Sequence, residues 1–376
     1  MVCLASALVL AHCEGTSSDV PVYDGELPGG GDGGASGGDG GSRSDAGTGI
    51  GTHPGDDGGD RPGDDGGSIG APLTGNGCAG GLCQNPTCQP YGTPADPGAT
   101  PETGFDAQPS FIPHDTIIPT FDDVPDGESS PTDPVYGVGS WTKGDIDWLN
   151  ANNLKMDFFI NTNNWCGDVT QDADCTATIV SLLQTQNAAN HTVHHVHLGL
   201  ASTTPDPPDG CATAAACEAE ITGVESLVNT LSRGGMPHLT RFRAPFGEPY
   251  QAQGTGLGMV APVVAKYGVE VDWNLDSGDS TCESTTAPCF TGQDIARNVE
   301  QLVGAAPGQG QRWGILLMHG VFPWTRDAVP LLFGPNGYLT KHGFKLATVE
   351  DAICWKYGKH SWEIVQKISG QARSPN

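Results

Sequence analysis

Five side chains that can bind a metal ion and move protons lie between residues 122 and 319 of this sequence: Asp122, Asp123, His191, His195 and His319. His191 and His195 are four apart, so on a helical turn both imidazoles project to one side. Two imidazoles and one carboxylate, with positions left for water, make a catalytic rather than a structural metal site. Asp123 is the natural third ligand, and the set suits Zn²⁺, Co²⁺ or another first-row divalent ion without choosing among them. Neighbouring side chains at a strand end point in different directions, which frees Asp122 for a different task. Taken alone, His-x3-His on an amphipathic segment is more often packing than a metal site, and His319 after an apolar run can be a core histidine. The Asp-Asp pair and the distant His change that balance. His194 and His197 crowd the same stretch, and Asn190-His191-Thr192 is formally a glycosylation sequon that we read as coincidental.

The elements that must hold these residues alternate between apolar strands and amphipathic helices. Ile117–Phe121 reads as a strand, followed by a helix at 144–153 capped by Thr142 and a strand at 155–160. Ile179, Leu182 and Leu183 mark a second helix. Val224, Leu227, Val228 and Leu231 give a stripe stopped by Gly234-Gly235. A helix through 260–267, an alternating strand at 269–273, a helical stripe from Ile295 to Val303, the apolar strand 315–318 and a last strand at 344–346 complete the pattern. Buried strands alternating with helices argue for a parallel sheet, either a barrel or doubly wound. In both, polar residues at the C-terminal ends of strands form the site, and that rule selects Asp122, Asp123, Arg243, Asp279 and His319.

Five pieces occur in order: Thr120-Phe121-Asp122-Asp123, Asn190–His195, Arg243-Ala244-Pro245-Phe246-Gly247, Trp273–Asp279 and Leu316-Leu317-Met318-His319-Gly320. Together they resemble the polysaccharide deacetylases of the NodB-homology family, carbohydrate esterase family 4, over roughly residues 111–355. The resemblance implies a distorted (β/α) barrel and removal of acetyl groups from N-acetylated sugars of a chitin-like or peptidoglycan-like polysaccharide. It makes Asp122 the general base, Asp123, His191 and His195 the metal ligands, and His319 the acid that protonates the departing amine. Arg243 would pair with the base and Asp279 would orient the acid. Pro245 and Phe246 would contact substrate, the Phe246 backbone N–H facing the oxyanion, while Leu317 lines the acetyl pocket. Several positions depart from the family pattern: Val124-Pro125-Asp126 stands for Gly-Pro, Phe246 for Tyr, Ser280 for Trp and Gly320 for Asp. None removes a ligand or proton carrier, and all reshape the groove. O-deacetylation of acetylxylan-type glycans and a non-catalytic, surface glycan-binding role stay open beside N-deacetylation. Trp273 and Trp324 are candidates to stack on sugar rings, with Trp273 equally suited to the core.

Composition bounds the rest. The 376 residues carry a net charge of −27, with 44 acids against 17 Lys and Arg, which excludes nucleic acid and anionic membrane surfaces as partners. Residues 14–77 read as a flexible, disordered Gly/Asp/Ser-rich linker and 78–110 as a cysteine-containing connector. Residues 111–355 form the catalytic domain and 356–376 a C-terminal tail. Met1–Cys13 resembles a signal segment ending in a lipid-bearing cysteine, so the protein is expected to be exported, with a lipid anchor at Cys13 and no membrane-spanning segment. Twelve cysteines fit an oxidising compartment. Setting aside Cys3 and Cys13, the close pairs Cys166/Cys175, Cys211/Cys217 and Cys282/Cys289 are expected disulfides, leaving Cys78, Cys83, Cys88 and Cys354 to pair among themselves. A monomer is expected.

Overall fold

A computed structural model describes residues 87–103, 109–124, 141–162, 173–205, 208–231, 238–251, 254–281, 289–306 and 309–371. The expected signal segment and linker, Cys13, Cys78 and Cys83 lie outside them, as do Pro125, Asp126 and Gly234-Gly235.

In chain order the sheet strands are β1 (Glu102–Thr103), β2 (Thr116–Val124), β3 (Asp157–Ile160) and β4 (Asn187–Asn190). β5 (His197–Leu198) and β6 (Gly210–Cys211) pair with each other outside the main sheet. Then come β7 (Arg241–Phe242), β8 (Val269–Val271), β9 (Leu275–Asp276), β10 (Gly314–His319) and β11 (Lys345–Leu346). The main sheet runs β1-β8-β7-β4-β3-β2-β10-β9, every pairing parallel, with β11 also on β2. Among the described residues its two ends do not pair. The result is an open half-barrel, the distorted (β/α) barrel expected from the sequence. Because all strands are parallel, their C-terminal ends share one rim.

Alternation sorts the side chains of each strand between two cores. Ile117 and Phe121 of β2, with Leu316 and Met318 of β10, face an outer layer. That layer comprises α1 (Lys143–Ala151), α2 (Ala173–Thr185), α5 (Gly292–Val303), α6 (Pro323–Phe333) and α7 (Tyr338–Lys341). Ile118, Phe159, Ala189, Val271 and Ile315 form the second core, inside the half-barrel. Its lower end is closed by α8 (Val349–Tyr357) and α9 (Ser361–Ser369) through Ile353, Ile364 and Val365. The two remaining helices, α3 (Ala214–Leu231) and α4 (Leu257–Val264), pack on β7 with Val196, Leu198 and Tyr250. α1, α5 and α8 each start with a reciprocal capping box, Thr142/Asp145, Thr291/Asp294 and Thr348/Asp351.

Three features differ from the sequence reading. β2 continues through Asp122, Asp123 and Val124, and its register with β3 shifts between Phe121 and Val124. Aspartate has low strand propensity, so the extension is carried by pairing with β3 and β10 and not by residue type. His191–His195 is no helical turn: the chain leaves β4 into a bend with Thr192 and His195 at φ 66° and 54°. The fold also extends beyond 111–355. The 355/356 boundary falls inside α8, and α9 buries Ile364 and Val365.

At the other end, β1 adds to the sheet beside β8, and the connector before it is fastened to α8. Tyr91 and Ala95 donate N–H bonds to Trp355 and Lys356 carbonyls (3.0 and 2.8 Å), and Cys88–Cys354 is a disulfide. Cys211–Cys217 is a disulfide, and Cys175 and Cys289 are oxidised too; their expected partners Cys166 and Cys282 lie outside the described residues. Among the described residues no helix is long and apolar enough to cross a membrane.

The Cys88–Cys354 bridge spans 266 positions, so it restricts the unfolded chain strongly. Replacing both cysteines by alanine is expected to lower stability by about 3 kcal/mol in urea unfolding. An unchanged midpoint would mean that β1 pairing and the connector hydrogen bonds suffice.

Candidate metal centre and active site

The rim collects the predicted residues from five strand ends. β2 supplies Asp122 and Asp123, the bend after β4 His191 and His195, the exit of β7 Arg243, and β10 His319; Asp279 follows β9 by three residues. One potential ligand atom each from Asp123, His191 and His195 lies within 4.8 Å of the others. Asp123 Oδ1 is 3.6 Å from His191 Nε2 and 3.3 Å from His195 Nε2, and Asp122 Oδ2 is 3.7 Å from His191 Nε2.

These are not ion pairs. Burial holds both imidazoles neutral, lowering His191 and taking His195 down to about 3 against the opposing pull of nearby aspartates. His191 Nδ1 sits 2.8 Å from the Arg243 carbonyl oxygen, which can only accept. Nδ1 therefore carries the proton, and bare Nε2 confronts a carboxylate oxygen, acceptor against acceptor. The two His191 separations are too long for hydrogen bonds, and no hydrogen-bond geometry joins His195 to Asp123 at 3.3 Å. These separations suit two atoms bound to one tetrahedral ion, which at ~2.1 Å each stand ~3.4 Å apart. The donor set therefore fits a divalent cation of the zinc type.

Backbone conformation aims these groups. Asp123 (φ 63°), Thr192, His195 and Phe246 (φ 60°) are all left-handed, four of the seven such non-glycine residues described. Asn161 Nδ2 donates to Asp123 Oδ1 at 2.8 Å. Asn190 spans the bend, accepting from Thr192 N–H (3.0 Å) and donating to the Ile221 carbonyl (2.9 Å). Glu220 on α3 braces it from outside: one oxygen accepts from Val193 and His194 N–H (3.1 and 3.0 Å), the other pairs with His194 Nδ1 at 2.9 Å. His194 is thereby turned away from the cluster.

Arg243 is fully buried. Its Nη1 donates to Asp122 Oδ1 (2.7 Å) and Thr120 Oγ1 (2.8 Å), and Nε donates to the Val271 carbonyl (2.8 Å). Its guanidinium lies 4.1 Å from the centre of the Phe159 ring. Opposite, Asp279 accepts from His319 N–H (2.7 Å), His319 Nδ1 (2.8 Å) and Thr325 Oγ1 (2.6 Å). Burial alone would lower His319, but Asp279, with Asp123 and Asp122 behind it, pushes it up to about 10. The histidines of one rim are thus split, with two neutral and one positive.

Leu317 is buried on the same face of β10 as His319. Pro245 is buried, and the Phe246 ring meets His195 edge-on (4.5 Å between centroids) and stacks on His197 (4.1 Å). Trp324 is core: its Nε1 donates to the Asp279 carbonyl at 2.9 Å, so it braces the aspartate and is not available to a sugar. Trp273 packs against the inner core beneath Arg243. Asp276 caps its own turn through Gly278 N–H.

Sequence reasoning missed Glu220, Asn161 and Thr325. Glu220 was detectable, because it continues the buried stripe of Val224 and Val228 one turn earlier, where a lone acid needs a partner. Nothing in the sequence marks Asn161 or Thr325.

No family model matches the chain, and no curated protein matches it. Solved structures do. A chitin deacetylase of the fungal pathogen Colletotrichum lindemuthianum is 19% identical, covering 70% of this chain and 92% of its own, with a TM-score of 0.41. A family 4 acetyl xylan esterase of Clostridium thermocellum in complex with a cobalt ion is 19% identical (63% and 89% covered, TM-score 0.40). A CE4-family pseudoenzyme of Bacillus anthracis is 13% identical (66% and 68%, TM-score 0.42).

Glu220→Ala frees the His191–His195 bend while leaving every proposed ligand in place. It is expected to weaken Zn²⁺ affinity about tenfold, as loss of an orienting partner does, measured by competition with a chromophoric chelator. Affinity equal to the parent protein would show that Asn190 alone holds the bend.

Proposed function

We propose that this protein is a metal-dependent hydrolase that removes acetyl groups from the N-acetylated sugars of a polysaccharide, chitin-like or peptidoglycan-like. The observation that carries this reading is one rim where neutral His191 and His195 meet the Asp123 carboxylate, with an arginine-held carboxylate on one side and a protonated histidine on the other. That is the equipment for hydrolysing an acetamide: a cation site, a base and an acid.

Asp123, His191 and His195 would hold the ion. When bound, a divalent cation supplies Lewis acidity, lowers the pKa of coordinated water and offsets the Asp122 and Asp123 charges that help to raise His319. Asp122, locked by Arg243, takes the proton of the attacking water on Oδ2, the oxygen that faces His191. The backbone N–H of Phe246 faces the oxyanion that forms on the former carbonyl. His319 enters protonated, with Asp279 holding Nδ1, and gives the Nε2 proton to the departing amine. Leu317 and the Phe246 ring give the acetyl methyl an apolar wall. Export fits the same reading, because disulfides need an oxidising compartment. The linker then serves as a tether from Cys13, and the catalytic domain acts as a monomer.

Acetate release from N-acetylglucosamine oligomers and from acetylxylan, with and without chelator, tests the proposal. The expected result is release from the amide substrate that stops on chelation, returns with Zn²⁺ or Co²⁺, and falls at least about 100-fold in Asp122→Asn. Preferential turnover of acetylxylan would make the protein an O-deacetylase. Oligosaccharide binding without acetate from either substrate would make it a binding protein.

A pH profile tests the acid. His319 works only while protonated, so activity is lost as pH rises through its pKa. Asp279→Asn removes the charge that raises that pKa, and the alkaline limb is expected to move to lower pH. An unmoved limb, with only the maximum lowered, would assign the limb to another group.

A further inference from the structure

Behind Arg243 lie two acids to which the mechanism above gives no task. Glu270 on β8 and Asp272 just after it are both fully buried, and two residues apart along a strand they share a face. Glu270 Oε1 accepts the Ala244 N–H at 3.1 Å. Glu270 Oε2 and both carboxyl oxygens of Asp272 have no hydrogen-bond donor. A buried carboxylate without donor or counter-ion costs several kcal/mol, so this arrangement cannot persist with two negative charges.

The surrounding groups do not supply the missing charge. Arg243, the cation facing the pair, is spent on Asp122, Thr120 and the Val271 carbonyl, and offers Asp272 only a long 3.5 Å contact to its backbone oxygen. The other titratable groups facing the pair are Glu102, which is opposite Glu270 on β1, buried Tyr250, and Asp122 across the guanidinium. None brings a positive charge. Burial raises both carboxyls; the charge of Glu270 adds to it at Asp272, and Glu102 and Asp122 add to it at both, against the pull of Arg243 and, for Glu270, the Ala244 N–H. Two carboxyls sharing a proton satisfy each other: the O–H of one is the donor that the orphaned oxygen of the other lacks.

We propose that Glu270 and Asp272 hold a shared proton and act as positioning residues for the Arg243–Phe246 turn. Glu270 ties the turn to β8 through the Ala244 N–H. The retained proton keeps the pair from drawing the Arg243 guanidinium away from Asp122. The positioning role rests on the deacetylase reading above; the shared proton does not.

Infrared spectra and thermal unfolding of the full chain test the proton without any turnover. At neutral pH the protein is expected to show the C=O stretch of a buried carboxylic acid, absent from both Glu270→Gln and Asp272→Asn. In the unfolded chain both acids ionise near pH 4, whereas in the folded chain the pair keeps one proton to higher pH. Stability therefore falls as pH rises between those two values. Asp272→Asn is expected to flatten that fall between pH 5 and 8. A band and a slope that survive both substitutions would overturn the shared proton.

For the positioning role, Glu270→Val is expected to lower kcat about tenfold with a smaller change in KM, the effect of one lost hydrogen bond. Glu270→Gln, which keeps the acceptor, is expected to restore most of it. Full kcat in Glu270→Val, or equal losses in both variants, would leave the pair a structural role only. Absence of acetate release from the parent protein would instead remove the deacetylase reading and the positioning role with it, while the infrared and unfolding results still decide the proton.

Discussion

A carboxylate taken out of water must meet a cation, a set of donors or a proton, or it destabilises the fold by several kcal/mol. Among the described residues nine Asp and Glu are buried against three arginines, so charge balance governs much of this interior. Six acids are answered locally. Asp122 has Arg243, and Asp157 has Arg241 and the first N–H of α8. Glu350 has His360 and Ser361, Glu220 has His194 and two backbone N–H groups, Asp279 has His319 and Thr325, and Asp351 caps α8. Three stay short of positive charge. Asp123 faces two neutral imidazoles, an arrangement that asks for a metal cation. Glu270 and Asp272 face no free cation, an arrangement that asks for a proton. The functional assignments are what the charge balance leaves over.

The open half-barrel places those answers at opposite ends. Below the apolar layer of Ile118, Phe159, Ala189 and Ile315, the Asp157–Arg241 pair and the Glu350–His360 pair seat α8 and α9 into the barrel floor. Burial raises Asp157 to about 6, with Arg241 and the Val349 N–H opposing, and the Val349 N–H ties it to the start of α8. Above the same layer, Arg243 stands on the Phe159 ring and presents Asp122 to the rim. Nearly identical residue types thus give a plug at the N-terminal ends of the strands and the proposed active site at the C-terminal ends. The parallel sheet decides which is which.

Much of this was legible in the sequence wherever apolar residues keep a period. The helices around Ile146, Ile179, Val224 and Ile295, the strand 315–318 and the strand-end placement of the acids all follow from spacing. Reading failed where tertiary pairing overrides local preference. Asp122 and Asp123 look like the residues after a strand, yet β10 and β3 keep them within β2. The four-residue spacing of His191 and His195 suggested a helical turn, but the pair meets through two left-handed residues, a geometry no propensity marks for Thr or His. Trp324 looked like a sugar platform because aromatic type does not reveal burial. The Arg243–Asp122 pair, 121 positions apart, came from resemblance to a family, not from any local signal.

Left-handed backbone at a non-glycine residue costs about 1 kcal/mol or more, and four such residues crowd this rim. Two of the turns concerned are each held from outside by a buried glutamate accepting backbone N–H groups. Glu220 takes those of Val193 and His194, between Thr192 and His195, and Glu270 takes that of Ala244, two residues before Phe246. Apolar side chains there would leave the N–H groups unsatisfied and let the turns relax toward commoner conformations. An acid is therefore the useful residue at both positions, and each acid then needs its own charge answered: His194 for Glu220, the Asp272 proton for Glu270. The strain that aims the ligands and the surplus of buried acids behind them are one feature. The turns that aim His195 and Phe246 are held by carboxyls, and the carboxyls are tolerated because a histidine and a proton complete them.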